Sequence, residues 1–322
     1  MPDDLPTLLR EQSGVVSRRQ LTDLGLAPHD VRGLLRRGAL ALVHPGVYVD
    51  HTGPPTWQQR AWAGALHAWS SALCGPSALR AEHGPGRRDQ DEEQIHVAVA
   101  HGRRVADVRG VRVHRLLHLD EQVRWNLGPP RQRVEDAALD TALAVASRSA
   151  LDAIGVLTTS VAARSTTPAR LREALDRRSR VPQRRWWSGV LDDLAAGTCS
   201  VLEHGHLALV ERPHGLPRGR RQRQARASTG VVYRDVDYPG GLVVELDGRL
   251  FHDSARARDA DMERDLDAGL DGVRTVRLSY GQVFDRPCLT AAKLAVLLRR
   301  AGWRDRPSTC GTGCPVAEAS VG

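Results

Sequence analysis

Lysine is almost missing from this chain of 322 residues: Lys293 is the single lysine, so 45 of the 46 lysine and arginine residues are arginine. Arginine stays protonated in proteins and cannot act as a general base. Any proton abstraction must therefore fall to histidine, to a carboxylate or to a metal-bound hydroxide. Phenylalanine is also scarce, with 2 residues, which leaves tryptophan, leucine, valine and alanine to build the core.

Long hydrophobic runs are missing as well. No run reaches the length of a transmembrane helix and no signal peptide is recognisable, so we expect a cytoplasmic protein with no membrane partner. Five cysteines are an odd number, which argues against a disulfide framework. The formal net charge of +8 favours a nucleic acid as the partner, and the length predicts two or three domains.

The first 50 residues carry three short helical segments and then an alternating one. Helices are predicted at residues 5–11, 16–25 and 27–38, and residues 39–49 alternate around Pro45-Gly46 as a two-stranded wing would. In the third helix Arg32, Arg36 and Arg37 can lie outward. This plan is that of a helix-turn-helix domain that enters the major groove. The alternative is a small helical subdomain that contacts only protein.

The same region resembles the N-terminal winged-helix domain of AbiEi-type antitoxins. The matching stretches are residues 14–21, Arg37-Gly38 and residues 43–49, and the likeness continues more weakly through residues 72–79 and 95–99. The resemblance implies DNA as a partner, with contacts from Arg32, Arg36 and Arg37. It also implies a cognate toxin, or the product of a neighbouring gene, as a protein partner.

Two carboxylates follow an apolar run further along the chain, in Val243-Val244-Glu245-Leu246-Asp247. Side chains alternate along a strand, so Glu245 and Asp247 point to the same side. Pro239-Gly240-Gly241 predicts a hairpin that brings Asp235 to the same region. A hard divalent cation relieves repulsion between such charges, and oxygen ligands suit Mg²⁺ or Mn²⁺. The alternative is a solvated face of an antiparallel sheet.

A basic arm lies just before these acids. Residues 212–234 contain seven arginines and no acidic residue. An arm of this kind beside a carboxylate cluster suits an anionic polymer, whose phosphates arginine holds while metal ions sit at the scissile group. The candidate contacts are Arg218, Arg221, Gln222 and Arg223. The alternative is a solvated face in an arginine-rich protein.

Residues 200–301 resemble the endonuclease-like domains related to the very-short-patch-repair nucleases, in the PD-(D/E)XK superfamily. The matching pieces are residues 200–203, 215–217, 221–222, 233–236, 244–248, 251–252 and 261–265. The resemblance implies that Asp235 and Glu245 bind the metal and that Glu203 completes the site. It further implies that His252 orients or deprotonates the attacking water and that Arg264 lies near the phosphate.

One position departs from the nuclease pattern. Asp247 stands where the superfamily often has lysine, and it could instead complete the metal shell. The main hypothesis is a metal-dependent DNA endonuclease guided by a winged-helix domain. The alternative is an antitoxin-like transcriptional regulator whose nuclease-like domain is weak or inactive. A third hypothesis is an interaction module that binds a nucleotidyltransferase.

The fold class expected from these patterns is α/β, in an α+β multidomain chain. We predict a winged helix-turn-helix domain at residues 1–55 and a mixed α/β middle domain at residues 56–150. A helical bridge and basic linker follow at residues 151–195. The PD-(D/E)XK-like α/β sandwich is predicted at residues 196–303, and a flexible tail at residues 304–322.

Three cysteines near the end of the chain form a separate signal. Cys288, Cys310 and Cys314 could supply three thiolate ligands to Zn²⁺. The sequence does not identify a fourth ligand, although His214 and His252 are candidates. The alternative is a frayed tail, containing glycine and proline, that binds no metal.

Overall fold

A computed structural model describes residues 4–84, 94–196, 200–227, 230–247 and 274–319 of the chain. The backbone divides into two compact units, residues 1–141 and 142–322. Both contain helices and sheets, which agrees with the expected α/β class. The five segments predicted from the sequence divide the chain more finely, and their boundaries stay a prediction.

The first unit begins with helices and short strands in alternation. Ser17 starts the second helix with a capping box: Gln20 N donates to Ser17 Oγ, and Ser17 N donates to Gln20 Oε1. Strands β1, β3 and β2 form an antiparallel sheet in that order. The elements are α1 (Leu5–Glu11), β1 (Val15–Ser17), α2 (Arg18–Asp23), α3 (Pro28–Arg36), β2 (Ala41–His44) and β3 (Val47–Val49).

The sequence predicted these three helices and the pair of strands β2 and β3. It missed strand β1, which takes the first residues of the segment predicted as the second helix. The helices bury Leu21, Val31 and Leu34 in a core to which strands β1 and β3 also contribute. On another side, Val15, Val47 and Val49 pack with residues of a following helix, including Trp62. Residues 4–50 therefore share a core with the middle region and are part of one unit with it.

The middle region is a mixed sheet covered by helices. Five strands lie in the order β6-β5-β4-β8-β7, and β5 and β6 run parallel. Apolar side chains from the helices pack on this sheet around Leu73, Ile95 and Val97. The elements are α4 (Trp57–His67), β4 (Ala72–Leu73), α5 (Gly75–His83), β5 (Ile95–Ala100), β6 (Val111–Leu116), α6 (Leu119–Gln122), β7 (Val123–Arg124), β8 (Arg131–Gln132) and α7 (Val134–Val145).

The second unit starts with helices and continues into a sheet. Thr167 caps α9, as its position before Pro168 predicts. The helices are α8 (Ala150–Ala162), α9 (Pro168–Asp176), α10 (Arg184–Ala196) and α11 (Ser200–Gly205), and α11 continues into a π-helix, π1 (His206–Glu211). The strands are β9 (Arg220–Ala227), β10 (Gly230–Tyr238), β11 (Leu242–Leu246) and β12 (Arg274–Leu278). A second π-helix, π2 (Gly281–Asp285), then leads to α12 (Pro287–Arg300) and α13 (Val316–Ala319).

The sheet of the second unit has the order β12-β11-β10-β9, with β11 and β12 parallel and the other pairs antiparallel. The predicted hairpin at residues 239–241 is confirmed as the β10–β11 turn. Of the segment predicted as a basic arm, residues 212–234, the structure assigns residues 220–227 to strand β9 and residues 230–234 to the start of β10. A charged helix predicted at residues 257–270 lies outside the described residues. Residues 304–322, predicted as a tail, include α13, whose Val316 is buried.

The β10–β11 turn touches the end of α12. Gly240 has a φ of 85°, which favours glycine, and a Cβ at this position would overlap the carbonyl oxygen of Ala301. The turn and the helix end thus meet backbone to backbone. Glycine at residue 240 is required both by the conformation and by the space.

A buried polar group joins π1 to the sheet. Glu211 is buried, and its carboxylate accepts hydrogen bonds from Arg221 Nη2 (3.1 Å) and from the hydroxyl of Tyr238 (3.0 Å). Burial raises the pKa of Glu211, while the charge of Arg221 and the Tyr238 hydroxyl act in the opposite direction. Because Arg221 lies in β9 and Tyr238 in β10, Glu211 connects π1 to two strands.

His206 lies next to this group, with its ring 6.4 Å from that of Tyr238. It is fully buried, and neither ring nitrogen has a hydrogen-bond partner in the part of the chain that the structure describes. Burial lowers the pKa of His206 to about 4, and the charge of Arg221 contributes in the same direction. The folded protein therefore holds His206 neutral.

None of the helices in the described ranges is long and apolar enough to cross a membrane.

We expect His206 to make the second unit sensitive to acid. The unfolded chain protonates His206 near pH 6.5 and the folded chain only near pH 4, so stability falls as the pH drops through that interval. In His206→Met this loss should be smaller by about 3 kcal/mol. Denaturant titrations at pH values across the interval measure it, with His29→Met, at an exposed position, as control. Equal slopes in wild type and His206→Met would contradict the assignment.

Candidate functional site

Helix α3 presents a basic outer face. Arg32, Arg36 and Arg37 are exposed, while Val31 and Leu34 are buried in the core of the first helices. The spacing of three and four residues between apolar positions predicted this separation of faces. Two guanidinium groups on α3 and a third on Arg37, which caps its C-terminal end, can bind phosphates or the edges of bases.

The start of α3 is fixed by its own first turn. Asp30 Oδ2 accepts a hydrogen bond from Ala27 N (2.9 Å), which satisfies an amide that has no partner within the helix. Pro28 stands at the first helical position, where its missing N–H has no cost. The basic face is therefore carried by a helix with a defined start, beside the β2–β3 hairpin.

A second basic surface lies at strand β9. A cleft of about 350 Å³ is lined by Arg218, Arg220 and Arg221 together with Leu207 and Gly219. Arg221 also pairs with the buried Glu211, so part of its charge is neutralised there. Arg218 and Arg220 are exposed at the cleft. This arrangement can hold an anionic group, as the sequence predicted for Arg218 and Arg221.

Gln222 and Arg223, the other two predicted contacts in this segment, lie in β9 after Arg221. Their backbone positions follow from the pairing of β9 with β10. Arg264 and His252, predicted to contact the phosphate and the attacking water, both lie outside the described residues. Their roles stay predictions.

The predicted metal-binding carboxylates lie around the end of β11. Asp235 Oδ2 accepts a hydrogen bond from Leu246 N (2.7 Å), which carries the Asp235 side chain from β10 to the end of β11. Asp247 follows directly, and its amide donates to Leu278 O (2.9 Å) at the end of β12. The structure thus brings Asp235 and Asp247 close together.

The electrostatics of Asp235 reflect this neighbour. Burial raises the pKa of Asp235, the hydrogen bond from Leu246 N lowers it, and the negative charge of Asp247 raises it. Glu245, in contrast, is engaged by an arginine: Arg277 Nε donates to Glu245 Oε2 (3.1 Å) across the β11–β12 pair. The charges of Asp235 and Asp247 thus act on each other, whereas Glu245 is paired with Arg277.

Glu203 lies half-buried in α11, and its backbone carbonyl accepts a long hydrogen bond from Arg221 Nη1 (3.5 Å). The residue is thereby connected to the arginine cleft through its main chain. Glu211, Tyr238 and His206 form the buried group beside this cleft. No sequence pattern identified these three residues as functional. The usable signal was one acid at the end of an otherwise apolar helical segment, Leu207-Ala208-Leu209-Val210-Glu211.

A different set of side chains has the arrangement of a metal-binding group. In the described ranges, the ligand atoms of His214, Cys288, Cys310 and Cys314 all lie within 4.8 Å of one another. The carboxylates Asp235, Glu245 and Asp247 are not members of this group.

Comparison with known proteins gives information about the region that contains the basic face of α3. The sequence model of a family described as "Transcriptional regulator, AbiEi antitoxin" matches residues 3–49, which include α1 to β3. The match ends there, so the nuclease-like resemblance of the second unit stays a prediction. No curated protein matches the chain.

One solved structure is similar to a larger part of the chain. It is a crystal structure of the RV2827C protein from Mycobacterium tuberculosis, with 21% sequence identity and a TM-score of 0.41. The similarity covers 62% of this chain and 78% of that chain.

We expect Asp235→Asn to stabilise the metal-free protein at neutral pH. Folding raises the pKa of Asp235, so the ionised carboxylate disfavours the folded state. The folded protein therefore loses stability as the pH rises above 3.8. Replacing the carboxylate by a neutral amide should restore that stability. The amide oxygen can still accept from Leu246 N. A rise of about 1–3 °C in the thermal midpoint is expected. Asp107→Asn, at an exposed position, is the control, and a lower midpoint for Asp235→Asn would refute the argument.

Proposed function

We propose that this protein is a DNA-binding transcriptional regulator of the AbiEi antitoxin type. The observation that carries the proposal is the coincidence of the family match at residues 3–49 with the exposed arginine face of α3. The element order α1-β1-α2-α3-β2-β3, with a three-stranded antiparallel sheet, also fits a winged helix-turn-helix domain.

In this proposal α3 enters the major groove. Arg32, Arg36 and Arg37 contact phosphates and base edges, and the β2–β3 hairpin is the wing beside the groove. The formal net charge of +8 draws the protein to DNA without selecting a sequence. Selection then depends on which side chains of α3 reach the bases.

The same proposal includes a protein partner, a cognate toxin or the product of a neighbouring gene. The support is the word antitoxin in the description of the matching family. Genomic neighbourhood is the simplest observation that bears on this part.

A Mg²⁺- or Mn²⁺-dependent DNA endonuclease is the second candidate function. The observation in its favour is the proximity of Asp235 and Asp247, two carboxylates whose repulsion a divalent cation would relieve. The helix, the three antiparallel strands, the parallel strand and the final helix of the second unit also agree with a PD-(D/E)XK-like fold.

In that second candidate, Asp235 and Asp247 would hold the cation, which supplies a Lewis acid and an acidified water. Arg218 and Arg220 would bind the phosphates of the substrate strand. The missing lysine leaves His252 or a carboxylate to take the proton. The engagement of Glu245 by Arg277 is the reason for placing this function second.

We expect Arg36→Ala to weaken DNA binding by about tenfold and to make the log–log salt dependence of affinity shallower by about one unit. The physical reason is the loss of one phosphate contact and of the counterion released with it. Gel-shift or fluorescence titrations on the DNA upstream of the protein's own gene provide the measurement. Arg109→Ala removes the same charge from the exposed turn before β6 and is the matched control. Equal binding by the two variants would overturn the placement of α3.

For the second candidate, the test is cleavage of plasmid, duplex and single-stranded DNA with Mg²⁺ or Mn²⁺. Asp235→Ala should reduce cleavage at least about a hundredfold by removing a metal ligand, whereas Asp107→Ala should keep it. Equal cutting by Asp235→Ala and wild type would assign the activity to a contaminant. The absence of cleavage by wild type with either metal would eliminate this candidate and leave the regulator unaffected.

A further inference from the structure

Four side chains of metal-ligating types meet in the second unit, and none of them belongs to the predicted carboxylate site or lines the arginine cleft. His214 follows π1, Cys288 stands in the first turn of α12, and Cys310 and Cys314 lie between α12 and α13. Their ligand atoms are all within 4.8 Å of one another, and Cys288 Sγ is 3.4 Å from Cys310 Sγ. Three separate segments of the chain thus converge on one point.

The ring of His214 is oriented so that one nitrogen can bind a metal ion. The residue is buried, and its Nδ1–H donates to the carbonyl of Val210 (2.9 Å), which leaves the lone pair on Nε2. Nε2 is buried and has no hydrogen-bond partner among the described residues. A buried nitrogen without a partner is destabilising, because it has lost its hydrogen bonds to water. A backbone carbonyl that orients the ring is also the usual outer support of a metal-bound histidine.

The three thiols have suitable surroundings. Cys288 lies in the first turn of the 14-residue helix α12. Gly313 has a φ of 75°, and Cys314 N donates to Gly311 O (3.3 Å), so the segment from Cys310 to Cys314 turns back on itself. The two sulfurs at 3.4 Å are much farther apart than the roughly 2.05 Å of a disulfide, and all three thiols are free.

We propose that His214, Cys288, Cys310 and Cys314 bind one Zn²⁺ ion in a structural site. Three thiolates and one imidazole are a ligand set that zinc takes in closed tetrahedral sites, where neighbouring ligand atoms are about 3.5–4 Å apart. Hard cations such as Mg²⁺ select oxygen ligands and would not bind here. Four protein ligands leave no open position for water or substrate, so the site has no catalytic role.

The ion connects the segment between α12 and α13 to the rest of the second unit. Ser308 N donates to His214 O (2.9 Å), and α13 packs against α12 with Val316 buried. Zinc adds a strong connection between the loop after π1, the start of α12 and the segment that the sequence predicted as a flexible tail. The sequence identified the three cysteines and left His214 and His252 as candidates for the fourth ligand. Among the described residues, the fold brings His214 to the three thiols.

The full-length protein tests the proposal directly. After purification under reducing conditions and dialysis against metal-free buffer at neutral pH, elemental analysis should find about one zinc per chain. Exchange of zinc for Co²⁺ should produce the visible absorption of a tetrahedral cobalt–thiolate centre. Zinc below about a tenth of an equivalent, even after refolding with zinc, would overturn the proposal. So would a disulfide between Cys288 and Cys310 in protein kept reduced.

Variants separate the site from adventitious zinc. Cys310→Ser, at an exposed position, should bind zinc at least about a hundredfold more weakly, whereas Cys74→Ser, at the buried free cysteine of the first unit, should keep the full equivalent. His214→Cys preserves four zinc ligands and should retain the metal, while His214→Ala should not. Equal zinc content in wild type and Cys310→Ser would show that the ion is bound elsewhere.

Discussion

The second unit depends on satisfying one buried carboxylate. Glu211 ends a π-helix, and its side chain is withdrawn from water. An ionised carboxylate in such a place is destabilising by several kcal/mol unless charge and hydrogen bonds replace its hydration. Arg221 and Tyr238 supply both, and they come from adjacent strands. The requirement to pair Glu211 therefore fixes the π-helix against the β9–β10 edge of the sheet.

This requirement also gives two different roles to the arginines around the start of strand β9. Arg221 is held by Glu211 and serves the fold, whereas Arg218 and Arg220 lie exposed at the same cleft. Counting the basic residues of the segment would thus overstate the charge that is offered to a ligand. Strand β10 also carries Asp235, three residues before Tyr238. The Asp235 carboxylate accepts a hydrogen bond at the end of β11, so β10 contributes both to the Glu211 group and to the carboxylate site.

Local patterns predicted much of the fold. The spacing of Val31 and Leu34 indicates the buried face of α3, and the turn at residues 239–241 indicates the β10–β11 hairpin. Strand β9 was missed because its dense arginines resemble a solvated arm, and its strand form depends on pairing with β10. His214 could not be distinguished as a ligand partner, since the cysteines follow it after four strands and only folding brings them together. Asp235 and Asp247 were predicted as neighbours, but the pairing of Glu245 with Arg277 was not.

Gly240 limits how this chain can diverge among related sequences. Surface turns usually accept exchanges and insertions, because their side chains point into water. At this turn the backbone packs against the carbonyl oxygen of Ala301, so a substitution at residue 240 would displace the end of α12. The segment beyond that end carries Cys310 and Cys314. Gly240 has no side chain, yet it determines where α12 ends and so where the segment that carries Cys310 and Cys314 begins.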